Sequence, residues 1–147
     1  MPAARGNCGY LGENATIIFV MALEVFHIEG IVQKGDGKGK ELGFPTANIP
    51  CADSVPSGIY AGEVIWKGIP YPAAVYKEDG KGVVEAHLLD FSGDLYGETL
   101  KVIAHTRVRD AKVFPNEKEL IAAIKKDIEN IRKYSNEKAG IIRPTVL

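Results

Sequence analysis

At 147 residues, with 46% hydrophobic and 25% charged residues, the chain is long enough to bury one core and too short for two ordinary domains. Its formal net charge of -1 supplies no bulk attraction to nucleic acid or to an anionic membrane surface, so any phosphate binding has to be local. Cys8 and Cys51 lie far apart with no CxxC partner, which points away from a disulfide framework or a zinc site and fits a reducing cytoplasm.

The first apolar run, from Thr16 through Leu23, is too short to cross a bilayer and is closed by Glu24; a signal-peptide reading of it is weak, since only Arg5 supplies a basic n-region. Residues 1–23 are therefore expected to be a tail without chemistry, or in part an over-called start ahead of Met21. Residues 24–33 read as a strand carried by Val25, Phe26, Ile28, Ile31 and Val32. Between 35 and 57, the glycines together with Pro45, Pro50 and Pro56 exclude a long helix, and a loop is expected.

Three strands are predicted next, over 58–66, 69–76 and 82–90, joined by short turns at Lys67-Gly68 and Glu78-Asp79-Gly80 that make them antiparallel neighbours. A further strand over 99–108 sets Leu100, Val102 and Ala104 against Lys101, Ile103 and His105. After Pro115, a helix is predicted with Asn116 as N-cap and Glu119 as its capping-box partner. Leu120, Ile121, Ile124, Ile128 and Ile131 form its apolar stripe. Strands first and one amphipathic helix last predict a mainly β domain over 24–135, a closed or nearly closed antiparallel barrel with the helix packed on it, followed by a tail over 136–147.

Four segments could carry chemistry. Residues 35–48 bring glycines, whose backbone N–H groups can approach phosphate oxygens, together with Lys38 and Lys40. The segment is neither a P-loop nor a dinucleotide fingerprint, and a flexible surface loop explains it as well as a phosphate cradle does. Thr46 and Asn48 offer hard neutral oxygens that could complete a Mg²⁺ shell, or they stabilise a turn beside Pro45.

In residues 83–90, alternation places Glu85, His87 and Leu89 on one face and Val84, Ala86, Leu88 and Asp90 on the other. Glu85 is then either a structural ion-pair partner or a general base for a substrate hydroxyl, and His87 reads as a satisfied core histidine. Residues 90–97 are a turn-rich link with two acids and Tyr96. Residues 107–114, with Arg109, Lys112 and Phe114, are a charged loop leading into the helix that could hold an anionic or aromatic ligand.

Taken in this order, the segments resemble the riboflavin kinase family, whose members occur alone or as the C-terminal module of bacterial bifunctional FAD synthetases. The likeness covers about residues 25–134 and rests on LGFPTAN within 35–48, SGIYAG at 57–62, residues 84–97, and Arg109-Asp110 through Phe114 and the helix. It implies a six-stranded antiparallel barrel that transfers the ATP γ-phosphoryl group to the 5′-hydroxyl of riboflavin, with Mg²⁺ as cofactor and ATP and riboflavin as partners. By position, Gly35 and Lys40 would hold ATP phosphates, and Thr46 and Asn48 would contact both Mg²⁺ and nucleotide. Leu88, Asp90 and Tyr96 match nucleotide-side positions, Arg109, Lys112 and Phe114 match flavin-side positions, and Glu85 would be the base.

The sequence departs from the family after Val75, where residues 76–82 replace a longer loop that borders the active site, which bears on flavin affinity more than on ATP binding. His27, His87 and His105 give no nucleotidyl-transfer signature, so FAD synthesis by this chain alone is not expected. The alternative reading is a non-catalytic flavin- or nucleotide-binding barrel. A barrel that binds single-stranded nucleic acid is disfavoured by the charge and by the lack of a basic-aromatic stripe. Neither a membrane contact nor an obligate protein partner is expected.

Overall fold

The structure is a computed structural model that describes residues 24–142, with side chains as far as residue 137. The tail expected over 1–23, and the end of the one expected over 136–147, lie outside the described residues. Six strands form one antiparallel sheet: β1 (Phe26–Ile31), β2 (Ala47–Pro50), β3 (Gly58–Trp66), β4 (Ile69–Lys77), β5 (Val83–Leu88) and β6 (Thr99–Arg109), paired in the order β1-β6-β3-β4-β5-β2. The sheet curls until its edges meet at Gln33 and Asn48, where the Gln33 N–H donates to the Asn48 carbonyl at 2.8 Å. A bridge in place of a full ladder leaves the barrel nearly closed, and the glycine-rich segment leaves β1 beside that seam.

The predicted strands from 58 to 77 appear with their expected pairing, because the Lys67-Gly68 turn sets their register. Both turn residues are left-handed (φ 52° and 79°), the two-residue geometry whose twist matches that of the flanking strands. Two elements depart from the loop expected over 35–57: a helical turn, α1 (Lys38–Glu41), and β2. Pro50 ends β2, which lies at the sheet edge, where a missing N–H is tolerated.

The barrel interior is filled by alternating side chains, with Ile49, Tyr60, Val64, Val75, Val84, Leu100 and Val102 fully buried. A second core lies outside the barrel wall, where Ala61 and Ala74 let α2 (Glu117–Ile142) approach closely enough for Ile131 to be wholly buried against them and Leu89. Truncating such a residue to alanine costs about 2–5 kcal/mol. Close approach also explains Gly62, where a Cβ would sit 2.1 Å from the Ile103 carbonyl oxygen at a register shift between β3 and β6.

The helix begins as the sequence predicts: Asn116 Oδ1 accepts the Glu119 N–H at 2.9 Å, satisfying one of the donors a helix start leaves open. It runs on to Ile142, past residue 135, where the sequence reading ends the domain. No helix among the described residues is long and apolar enough to cross a membrane.

Candidate active site

The segment between β1 and β2 folds back on itself. Gly37 and Gly43 bracket α1 in left-handed conformations (φ 77° and 93°), and the Phe44 N–H donates to the Gly39 carbonyl at 2.7 Å. Two glycines here are demanded by proximity. A Cβ on Gly35 would meet the Asn48 amide at 2.4 Å, and one on Gly39 would meet the Phe44 carbonyl oxygen at 2.5 Å.

Between this segment and the link after β5 opens a cavity of 680 Å³ lined by Gly35, Lys40, Thr46, Asn48, Leu88 and Tyr96, among others. Six of the seven nucleotide-side residues named from the sequence thus share one cavity.

A second cavity, of 520 Å³, is lined by Glu85, Arg109, Lys112 and Phe114 together with Tyr76 and Phe44. The two cavities share Asp36, Gly39 and Thr46 as a common wall. In that wall the Thr46 hydroxyl donates to Glu85 Oε1 at 3.0 Å. The β2–β5 ladder fixes the pair, because Asn48 lies opposite Glu85 and brings the end of the glycine segment alongside β5. On the far wall, the guanidinium of Arg109 and the ammonium of Lys112 lie over the Phe114 ring, at 5.3 and 5.1 Å from its centroid. Lys38 of α1 reaches Glu117 at the start of α2 at 3.2 Å, so an exposed ion pair links two segments that line this second cavity.

Asp90, the seventh of the nucleotide-side residues, does not line that first cavity. β5 stops at Leu88, and Asp90 adopts a left-handed conformation (φ 56°) that ends the strand alternation. Its carboxylate is held by Arg132 of α2 at 2.6 Å, and that hydrogen bond lowers its pKa below the ordinary aspartate value.

Sequence reasoning missed Asp127. This carboxylate of α2 is buried and takes two hydrogen bonds from Arg109, at 2.8 Å each. Its signal was available, since Asp127 stands among Ile124, Ile128 and Ile131 on the apolar stripe, where an acid has to be paired. Tyr76, in the segment that departs from the expected pattern, carries a buried hydroxyl with no hydrogen-bond partner among the described residues. Burial, with a smaller contribution from Asp127, raises its pKa far above the ordinary tyrosine value.

A family model for riboflavin kinase matches residues 23–135. The chain belongs to the riboflavin kinase family. Within that family it is 34% identical over 130 residues to a bifunctional riboflavin kinase/FMN adenylyltransferase of Bacillus subtilis, covering 80% of this chain and 41% of the relative. Against the Escherichia coli K12 protein of the same description, identity is 36% over 118 residues, covering 74% and 38%. The chain thus spans about two fifths of the length of these curated relatives.

Among solved structures, riboflavin kinase from Trypanosoma brucei superposes with a TM-score of 0.54 at 28% identity, covering 74% of this chain and 78% of that one. A Streptococcus pneumoniae protein described as a macrolide-efflux protein superposes with a TM-score of 0.64 at 30% identity, covering 72% of this chain and 38% of that one.

Proposed function

We propose that this chain is an ATP:riboflavin 5′-phosphotransferase, producing FMN and ADP. The observation that carries the reading is the Thr46–Glu85 hydrogen bond in the wall shared by the two cavities, because phosphoryl transfer needs a base at the point where donor and acceptor meet. The nucleotide occupies the Gly35–Asn48 side, and the flavin lies on the side of Arg109, Lys112 and Phe114.

Glu85 acts as general base. With Oε1 engaged by Thr46, Oε2 is left to accept the proton of the ribityl 5′-hydroxyl as that oxygen bonds to the γ-phosphorus and the bond to the ADP oxygen breaks. Backbone N–H groups of the glycine segment and the Lys40 ammonium orient and neutralise the phosphates. Thr46 and Asn48 suit Mg²⁺: the Thr46 hydroxyl spends its hydrogen on Glu85 and keeps its lone pairs, and both side chains supply hard neutral oxygens. When bound there, the ion supplies charge neutralisation at the phosphate oxygens. Asp90 is assigned to the barrel–helix contact instead of the nucleotide, and the lone described thiol, Cys51, suits a cytoplasmic setting.

The test is a turnover assay with ATP, Mg²⁺ and riboflavin, resolved by chromatography, in which FMN is expected. One observation favours a second reading, a binding barrel without catalysis: β4 passes directly into a short turn over 78–82, which leaves Tyr76, Lys77, Glu78 and Lys81 on the wall of the flavin-side cavity. Tight binding of both ligands with no FMN formed under any divalent metal would select it.

A further inference from the structure

We propose that His87 is a positioning residue of this active site: through the Pro45 carbonyl it holds Thr46 against Glu85. The proposal rests on the kinase reading for its catalytic consequence and on geometry for the rest. His87 follows Glu85 by two residues on the same face of β5 and approaches the Pro45 carbonyl oxygen with Nδ1 at 2.8 Å.

A carbonyl oxygen only accepts, so Nδ1 has to carry hydrogen, which fixes the neutral ring as the Nδ1–H tautomer. The bond stands just beyond the end of the ladder. The β2–β5 ladder ends at Ala47 opposite Ala86, and Pro45 has no N–H with which to extend it. The His87 side chain takes over at that point and ties down the residue immediately before Thr46.

The same contact reaches further into the glycine segment. The Phe44 ring packs edge-on against the imidazole with centroids 5.9 Å apart, and the Phe44 N–H donates to the Gly39 carbonyl. His87 therefore anchors both Thr46 and the turn that lines the two cavities, without itself lining either of them. Its ring opens instead on a separate cleft beside α2. A group that touches neither substrate cavity but fixes a residue shared by both acts on alignment, and loss of alignment lowers kcat more than it raises KM.

The experiment compares wild type, His87→Phe and His87→Asn, since the asparagine amide can present an N–H near the place of Nδ1 and phenylalanine cannot. His87→Phe is expected to lose roughly 10- to 100-fold in kcat with little change in the riboflavin KM, and His87→Asn to recover most of it. An asparagine variant no better than the phenylalanine variant would overturn the proposal.

Nitrogen NMR of wild type, with the His87 signal assigned by its absence from His87→Asn, should show Nδ1 protonated in the neutral ring; an Nε2–H tautomer would overturn the proposal as well. Should wild type form no FMN, the kinase reading fails, while the tautomer and a calorimetric titration of all three proteins with Mg-ATP still decide the role of His87. Weaker nucleotide binding in His87→Phe that is restored in His87→Asn supports it, and equal binding in both refutes it.

Discussion

Arg109 and Asp127 meet through two parallel hydrogen bonds of 2.8 Å, Nε to Oδ1 and Nη2 to Oδ2, with Asp127 2% exposed between α2 and the barrel. The bond pair couples the helix to the flavin-side cavity, because Arg109 also lies over Phe114. Removing the carboxylate strands a guanidinium that is 25% exposed, so some water can reach it. Asp127→Ala should therefore cost about 3 kcal/mol, the low end for breaking a buried pair. The riboflavin KM should rise with it, as Arg109 loses its fixed orientation. Urea denaturation and steady-state kinetics check the two effects; unchanged KM in a destabilised protein would mean that the pair serves the fold alone.

Glu85→Gln separates proton acceptance from shape. The glutamine oxygen can still accept from the Thr46 hydroxyl, so the shared wall should survive while the base is lost. Turnover should fall about 10²- to 10⁴-fold with Mg-ATP affinity retained. A variant that keeps full turnover would remove Glu85 from the mechanism.

The run from β3 to β5 could be read from the chain because its pairings are local. The Lys67-Gly68 turn states a pairing within a few residues, and the alternation in β5 and β6 states their facing. β2 could not be read this way: it is four residues long, lies among prolines, and exists through its ladder to β5, some 36 residues on. The same distance hid the site. Thr46 and Glu85 stand 39 residues apart, and their spacing says nothing of the bond between them; family likeness named both residues, and the β2–β5 ladder explains why they meet. The facing of Asp90 could not be read from alternation, because β5 ends two residues before it.

Gly35 tests how tightly the nucleotide side is built. The Cβ of Gly35→Ala would lie 2.4 Å from the Asn48 amide nitrogen, so Asn48 has to swing away. Mg-ATP affinity should fall about tenfold, equivalent to about 1.4 kcal/mol. Because the obstacle is the Asn48 side chain, the substitution should cost little more once Asn48→Ala is present, a non-additivity expected of residues in contact. Titration of the four proteins of this cycle with Mg-ATP measures it. Strict additivity would show that Gly35 acts on the phosphates through its own backbone and not through Asn48.

Tyr76 gives a prediction about pH. Its hydroxyl is buried without a partner, and burial holds its pKa far above the value near 10 that an unfolded tyrosine has. The unfolded state therefore releases this proton first as pH rises. The contribution to stability is intact below about pH 10 and is lost progressively above it, toward the raised folded value. Tyr76→Phe removes the titration together with the unpartnered hydroxyl, whose desolvation costs about 1 kcal/mol or more at neutral pH. The variant should be more stable than wild type at pH 7, and its stability should decline less steeply above pH 10. Tyr134, also raised by burial, keeps the remaining slope from vanishing. Urea unfolding at pH 7 and in the alkaline range distinguishes the outcomes. If Tyr76→Phe is instead less stable at pH 7, the hydroxyl makes a stabilising contact, and the alkaline slope then shows whether that contact also governs its ionisation.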